Sequence, residues 1–191
     1  MNNLIIIAHP DKQSFCHNGI FKTIYQTLSN HNENVDVIDL YDDKFNVFGD
    51  EEKTNRYKEL ITKSHRIYII SPFWRFRCTP LLESFFDQVL SPGFAYKFIP
   101  VTKSLGIPKP FLKDKKVRTY LTHGAPALPV LTLYVNSVKL RLVMGVYSFV
   151  FGWFRTSTRQ FWSVPFVSDS KRKKYLQKVV NDVERDIKSQ K

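Results

Sequence analysis

The first 90 residues alternate short apolar runs with stretches whose apolar residues recur at helical spacing, and few folds accept that pattern. Leu4-Ile5-Ile6-Ile7-Ala8 is apolar at every position, as expected of a strand covered on both faces of a parallel sheet. Ile20, Ile24 and Leu28, with Phe21 and Tyr25, follow at the spacing of one helix face. Val35–Leu40 reads as a second strand, Lys53–Lys63 as a weaker helix and Arg66–Ser71 as a third strand. Thr79 is placed to cap a helix with Pro80 at its first position, and Leu81, Leu82, Phe85, Phe86 and Val89 form its apolar stripe. Such alternation predicts an α/β fold, a doubly wound parallel sheet of five strands with helices on both faces.

The remainder is less regular. Ser91–Lys115 is rich in Pro and Gly, and its length marks a functional loop or small subdomain rather than a passive connector. Val117–Thr122 reads as the fourth strand. Residues 130–152 are apolar and predict helix broken near Gly145 and Gly152. Gln160–Pro165 is expected as the last strand. A closing amphipathic helix begins near Asp169, its stripe formed by Leu176, Val179, Val180, Val183 and Ile187. With 191 residues, no internal repeat and no linker, a single domain over residues 1–191 is expected.

Composition narrows the function classes. Two cysteines without a C-x-x-C pair favour a reducing compartment over a disulfide scaffold. Neither the N-terminal apolar run nor Leu142–Phe154 reaches the ~20 residues of a spanning helix, so a soluble, cytoplasmic protein is expected. The net charge of +12 is unevenly spread: residues 1–100 carry 11 Lys and Arg against 12 Asp and Glu, residues 101–191 carry 18 against 5. Lys115-Lys116 and Lys171-Arg172-Lys173-Lys174 are the densest clusters; a solvated basic surface explains them as well as an acidic partner does. No nucleic-acid-binding module is recognisable, the five histidines lack metal-ligand spacing, and no Gly-x-Ser-x-Gly elbow occurs.

In a parallel α/β sheet ligands bind beyond the carboxyl ends of the strands, so the turns leaving strands carry the candidates. After the first strand, His9, Ser14, Phe15 and Cys16 lie where a helix begins; Ser14 can cap it, and the free N–H groups of its first turn form an anion site. Neither a Gly-x-Gly-x-x-Gly nor a Walker pattern is present. After the third strand, Pro72-Phe73-Trp74-Arg75-Phe76 crowds aromatic rings and an arginine together, a composition fit to hold a flat, partly polar ring. After the fourth, Thr122 and His123 offer polar side chains and Gly124 permits close approach to the backbone.

These segments resemble the flavodoxin-like NAD(P)H dehydrogenase (quinone) family, whose first loop carries His-Pro-x-x-x-Ser-Phe-Asn. Here it reads His9-Pro10-Asp11-Lys12-Gln13-Ser14-Phe15-Cys16, with Cys16 in place of the usual Asn. Pro72-Phe73-Trp74-Arg75-Phe76, Asp87-Gln88-Val89, Pro92-Gly93-Phe94-Ala95-Tyr96 and Leu121-Thr122-His123-Gly124 follow in the family's order. The resemblance implies a flavin, FAD or FMN, with its phosphate at Ser14–Cys16 and its ring along Phe73–Phe76 and Thr122–Gly124. It further implies NAD(P)H as reductant, a quinone-like small-molecule acceptor and a homodimer. The Tyr/His proton relay of some members has no counterpart at matching spacing, and His123 is taken as the catalytic candidate by hypothesis, as a substitute for it. Two alternatives are an ancillary flavoprotein docking on a membrane transporter through Leu142–Phe154 and the basic half, and a one-electron flavodoxin carrier. The basic charge disfavours the carrier.

Overall fold

The structure, a computed structural model, describes residues 1–189. Five strands form a parallel sheet: β1 (Asn2–Ile7), β2 (Asn34–Asp39), β3 (Arg66–Pro72), β6 (Lys116–Thr122) and β7 (Thr156–Phe161), in the order β2-β1-β3-β6-β7. The doubly wound expectation holds, and the order reverses between β1 and β3, the place where such sheets open a crevice. Alternation along the buried strands explains why both faces need cover. Leu4, Ile6, Ile67, Ile69, Val117 and Leu121 face one way, against α2 (Glu51–Lys63), α3 (Pro80–Gln88) and the 138–151 segment. Ile5, Ile7, Tyr68, Ile70, Tyr120 and Phe161 face the other, against α1 (Lys22–Asn30) and α7 (Asp169–Lys188).

Three sequence expectations are corrected. The last strand is Thr156–Phe161 rather than Gln160–Pro165. It is an edge strand of Thr, Ser, Arg and Gln with only Phe161 buried, so no apolar run announces it. The Ser91–Lys115 segment contains an antiparallel ribbon, β4 (Tyr96–Pro100) and β5 (Gly106–Pro110), whose prolines mask its strand character. The apolar stretch near residues 130–152 breaks not at Gly145 but at Val135 and Asn136, both left-handed, between α4 (Ala127–Leu131) and α5 (Ser137–Leu140). Gly145 lies inside a π-helical turn, Arg141–Tyr147, that runs into α6 (Ser148–Val150), and Gly152, at φ 77°, ends the run. No helix among the described residues is long and apolar enough to cross a membrane.

Candidate functional site

The turns leaving β1, β3 and β6 meet at one cleft of about 860 Å³. Hydrogen bonds fasten them together: Phe73 N–H donates to the Thr122 carbonyl at 2.8 Å, and the Thr79 hydroxyl to that of Ala8 at 3.3 Å. Thr79 stands at the N-cap of α3, yet its side chain bonds Ala8 rather than the helix. Glu83 instead accepts from Cys78 N–H at 2.9 Å and is ion-paired with Arg141.

The first wall is the β1–α1 turn, where His9, Ser14, Phe15 and Cys16 line the cleft with Asp11, Gln13, Asn18 and Gly19. Ser14 is extended, at φ −61° and ψ 158°, and its Oγ accepts from His17 N–H at 3.3 Å. That caps a π-helical turn, Phe15–Phe21, which leads into α1. The opening N–H groups of such a turn have no carbonyl one turn back and point outward as donors. His9 Nδ1 accepts from Asp11 N–H at 3.0 Å, and burial lowers the His9 pKa. Cys16 Sγ lies 3.4 Å from Thr122 Oγ1, and burial pushes its thiol pKa up to about 12, so it is no thiolate nucleophile at neutral pH.

The second wall is aromatic. Pro72, Phe73 and Trp74 line the cleft; Arg75 and Phe76 do not. Paired backbone bonds between Trp74 and Arg77, at 2.9 and 3.1 Å, close a tight turn with Arg75 and Phe76 at its tip, at φ 48° and 67°. Left-handed conformations in both central positions favour Asn-Gly, so Arg-Phe is strained there. Phe76 packs edge-on against Tyr134, centroids 4.9 Å apart, and braces the turn from outside.

Thr122, His123 and Gly124 complete the floor. The His123 imidazole sits between Phe73 and Trp162, centroids 4.7 and 4.3 Å away, with Nε2 2.9 Å from Gln160 Oε1. Nε2–H therefore donates, and the buried Nδ1 has no partner among the described residues. Burial lowers the His123 pKa to about 4, so the ring is neutral at pH 7 and offers a lone pair rather than an acidic proton. His123 N–H is spent on the Phe161 carbonyl, 2.8 Å away. A Cβ at Gly124 would meet nothing within 4 Å, so the cleft reaches its backbone.

The far end was missed by sequence reasoning. Val164 and Pro165 after β7, and Asp169, Arg172, Lys173 and Leu176 at the start of α7, close the cleft beside Ser14. The Lys171–Lys174 cluster was the available signal, but misplacing the last strand hid that this cluster follows a strand end.

The flavodoxin-like fold family model matches residues 1–137, and the chain belongs to that family. It is 31% identical over 137 residues to an NAD(P)H oxidoreductase of Haemophilus influenzae, itself described as uncharacterized; the match covers 65% of each chain. An FMN-dependent NADH:quinone oxidoreductase of Mycoplasma mobile is 29% identical over 99 residues, 51% of this chain and 47% of that protein. The chain therefore spans less than two thirds of these relatives' lengths. The crystal structure of Smu.1420 from Streptococcus mutans superposes with a TM-score of 0.83 over 97% of this chain and 100% of that one, at 23% identity.

Proposed function

We propose that this protein is a flavin-dependent NAD(P)H oxidoreductase that passes two electrons to a quinone-like acceptor. The observation that carries the reading is the convergence of three strand-end turns on one cleft, a capped helical turn on one wall and aromatic rings on the other. Relatives named as NAD(P)H and FMN-dependent quinone oxidoreductases support it. The residues fit the cofactor on three counts: outward-facing first-turn donors beside Ser14, an unpartnered buried Nδ1 on His123, and open approach to Gly124.

In this reading the Ser14 hydroxyl and the N–H groups of Phe15 and Cys16 hold the phosphate, and Phe73 and Trp74 flank the ring. A bound flavin would supply the redox chemistry, two-electron transfer between a nicotinamide and an acceptor. Gly124 N–H would offer a donor to a ring bound against this open backbone, where a donor would stabilise negative charge. His123, neutral and fixed by Gln160, serves as a hydrogen-bond acceptor and as a packing surface, not as an acid. Arg172 and Lys173, which close the cleft beside Ser14, add positive charge at the end where the phosphate is placed. A homodimer, with a second copy covering the exposed Leu131, Leu133, Leu140 and Met144, is part of the same proposal.

Steady-state oxidation of NADH and NADPH with quinone acceptors tests the activity. Parallel double-reciprocal lines, the mark of reductant leaving before acceptor enters, are expected. A flavin-loaded protein that fails to oxidise either nucleotide would remove the enzymatic reading.

A further inference from the structure

The β4–β5 ribbon stands apart from the sheet and is fastened to the body along one face. Tyr96 and Phe98 meet Phe149 edge-on, centroids 5.8 and 6.1 Å away. Because side chains alternate, the opposite face carries the cross-strand pairs Lys97–Lys109 and Ile99–Ile107. The turn beyond adds Val101, Lys103 and Leu105. Ile99, Val101, Leu105 and Ile107 are 38%, 56%, 56% and 52% exposed. Going outward, a lysine pair is followed after about 7 Å by an isoleucine pair, and then by a mixed tip in which Val101 and Leu105 flank Thr102, Lys103 and Ser104.

Two features say what this face fits. Between Asp87 and Asp114 the chain has no carboxylate and four lysines, and Asp114 itself pairs with Lys115. A second copy of the ribbon would set lysine against lysine with no acid to offset it. The β5 edge is also closed to strand addition. Val101 N–H bonds the Leu105 carbonyl, so the hydrogen-bonded pairs are the odd-numbered residues, and Pro108 and Pro110 occupy positions whose N–H would point outward. An anionic phospholipid surface matches both levels. Headgroup charge meets Lys97 and Lys109, with Lys103 reaching back to the same level, and the Ile99–Ile107 pair with Val101 and Leu105 enters to the 5–10 Å that interfacial segments reach, roughly.

We propose that the β4–β5 ribbon is a wedge that docks the protein on anionic phospholipid bilayers. This rests on the ribbon alone and is independent of the flavin reading.

Co-sedimentation of the full chain with vesicles tests it, comparing phosphatidylcholine alone with phosphatidylcholine mixed with phosphatidylglycerol. Binding to the mixed vesicles only, weakened by salt, is expected. The double variants Lys97→Gln with Lys109→Gln, and Ile99→Ser with Ile107→Ser, each lower the partition coefficient by roughly tenfold or more. Their thermal unfolding stays at the wild-type midpoint, since all four side chains are exposed. Three results overturn the proposal: no binding to either vesicle, equal binding by the variants, or a changed oligomeric state in sedimentation velocity. The second would place the lipid contact on another basic surface, and the third would make the ribbon a contact between copies.

Discussion

His123 is gripped by two aromatic rings and one amide, and that burial costs the protein stability in mild acid. Its pKa of about 4 in the fold lies below the ordinary histidine value of 6.5. Between those values the unfolded chain binds a proton that the folded chain refuses, so stability falls as pH drops. From pH 7 to 5 the loss at this one site is about 2 kcal/mol. His9, lowered by burial as well, acts in the same direction. Urea denaturation of His123→Asn at the two pH values should show a smaller loss than wild type; an identical loss would mean the imidazole is not buried as described. The Arg75–Phe76 tip makes an opposite prediction. Arg75→Asn places a residue tolerant of φ near 48° in the strained turn while keeping the Phe76 ring, and should stabilise by about 0.5–1 kcal/mol with flavin affinity unchanged. Reduced flavin affinity would show that Arg75 reaches the cleft after all.

Among the elements, α7 is held by charge as much as by its apolar stripe. Arg118 on β6 grips Asp186 through Nε and Nη2 at 2.6 and 2.7 Å, Lys116 joins at 3.0 Å, and Arg159 on β7 forks onto Asp182. Burial alone would raise the Asp186 pKa, but Arg118 and Lys116 more than offset this and hold it below the ordinary value. Its contribution is therefore present above the unfolded carboxylate range and lost as pH falls below it. Asp186→Asn removes the forked partner of buried Arg118, leaving Asp182 at 3.6 Å as its remaining carboxylate, and should cost about 1–3 kcal/mol in chemical denaturation. A cost under 1 kcal/mol would show that water reaches the pair. These elements also mark what a sequence can reveal. β1 and β3 were legible because they are apolar on both faces, and α1, α3 and α7 because their stripes are regular. β7 was not, since an edge strand held by Arg159 and Asp182 leaves no apolar signature. The site divides the same way: Ser14, Phe73, Trp74 and Thr122–Gly124 follow legible strands and line the cleft, while Arg172 and Lys173 follow the illegible one. Arg75 and Phe76, assigned to the ring by composition, were turned outward by a backbone geometry that composition does not encode.

At the scale of the whole molecule, parallel order brings turns from residues 9–16, 72–74 and 122–124 to one rim, although more than a hundred residues separate the first from the last. The basic half then contributes in two places: Arg172 and Lys173 close the cleft, and the β4–β5 ribbon projects lysines from a separate face. The central claim is that the rim grips a phosphorylated flavin, and stoichiometry tests it most directly. Denaturing the purified protein and chromatographing the supernatant should release flavin equimolar with the chain. Ser14→Asp, which sets a carboxylate beside the phosphate while preserving a good helix cap, should fold normally and retain almost none. Folded wild-type protein that is colourless and takes up neither FAD nor FMN on titration would contradict the account.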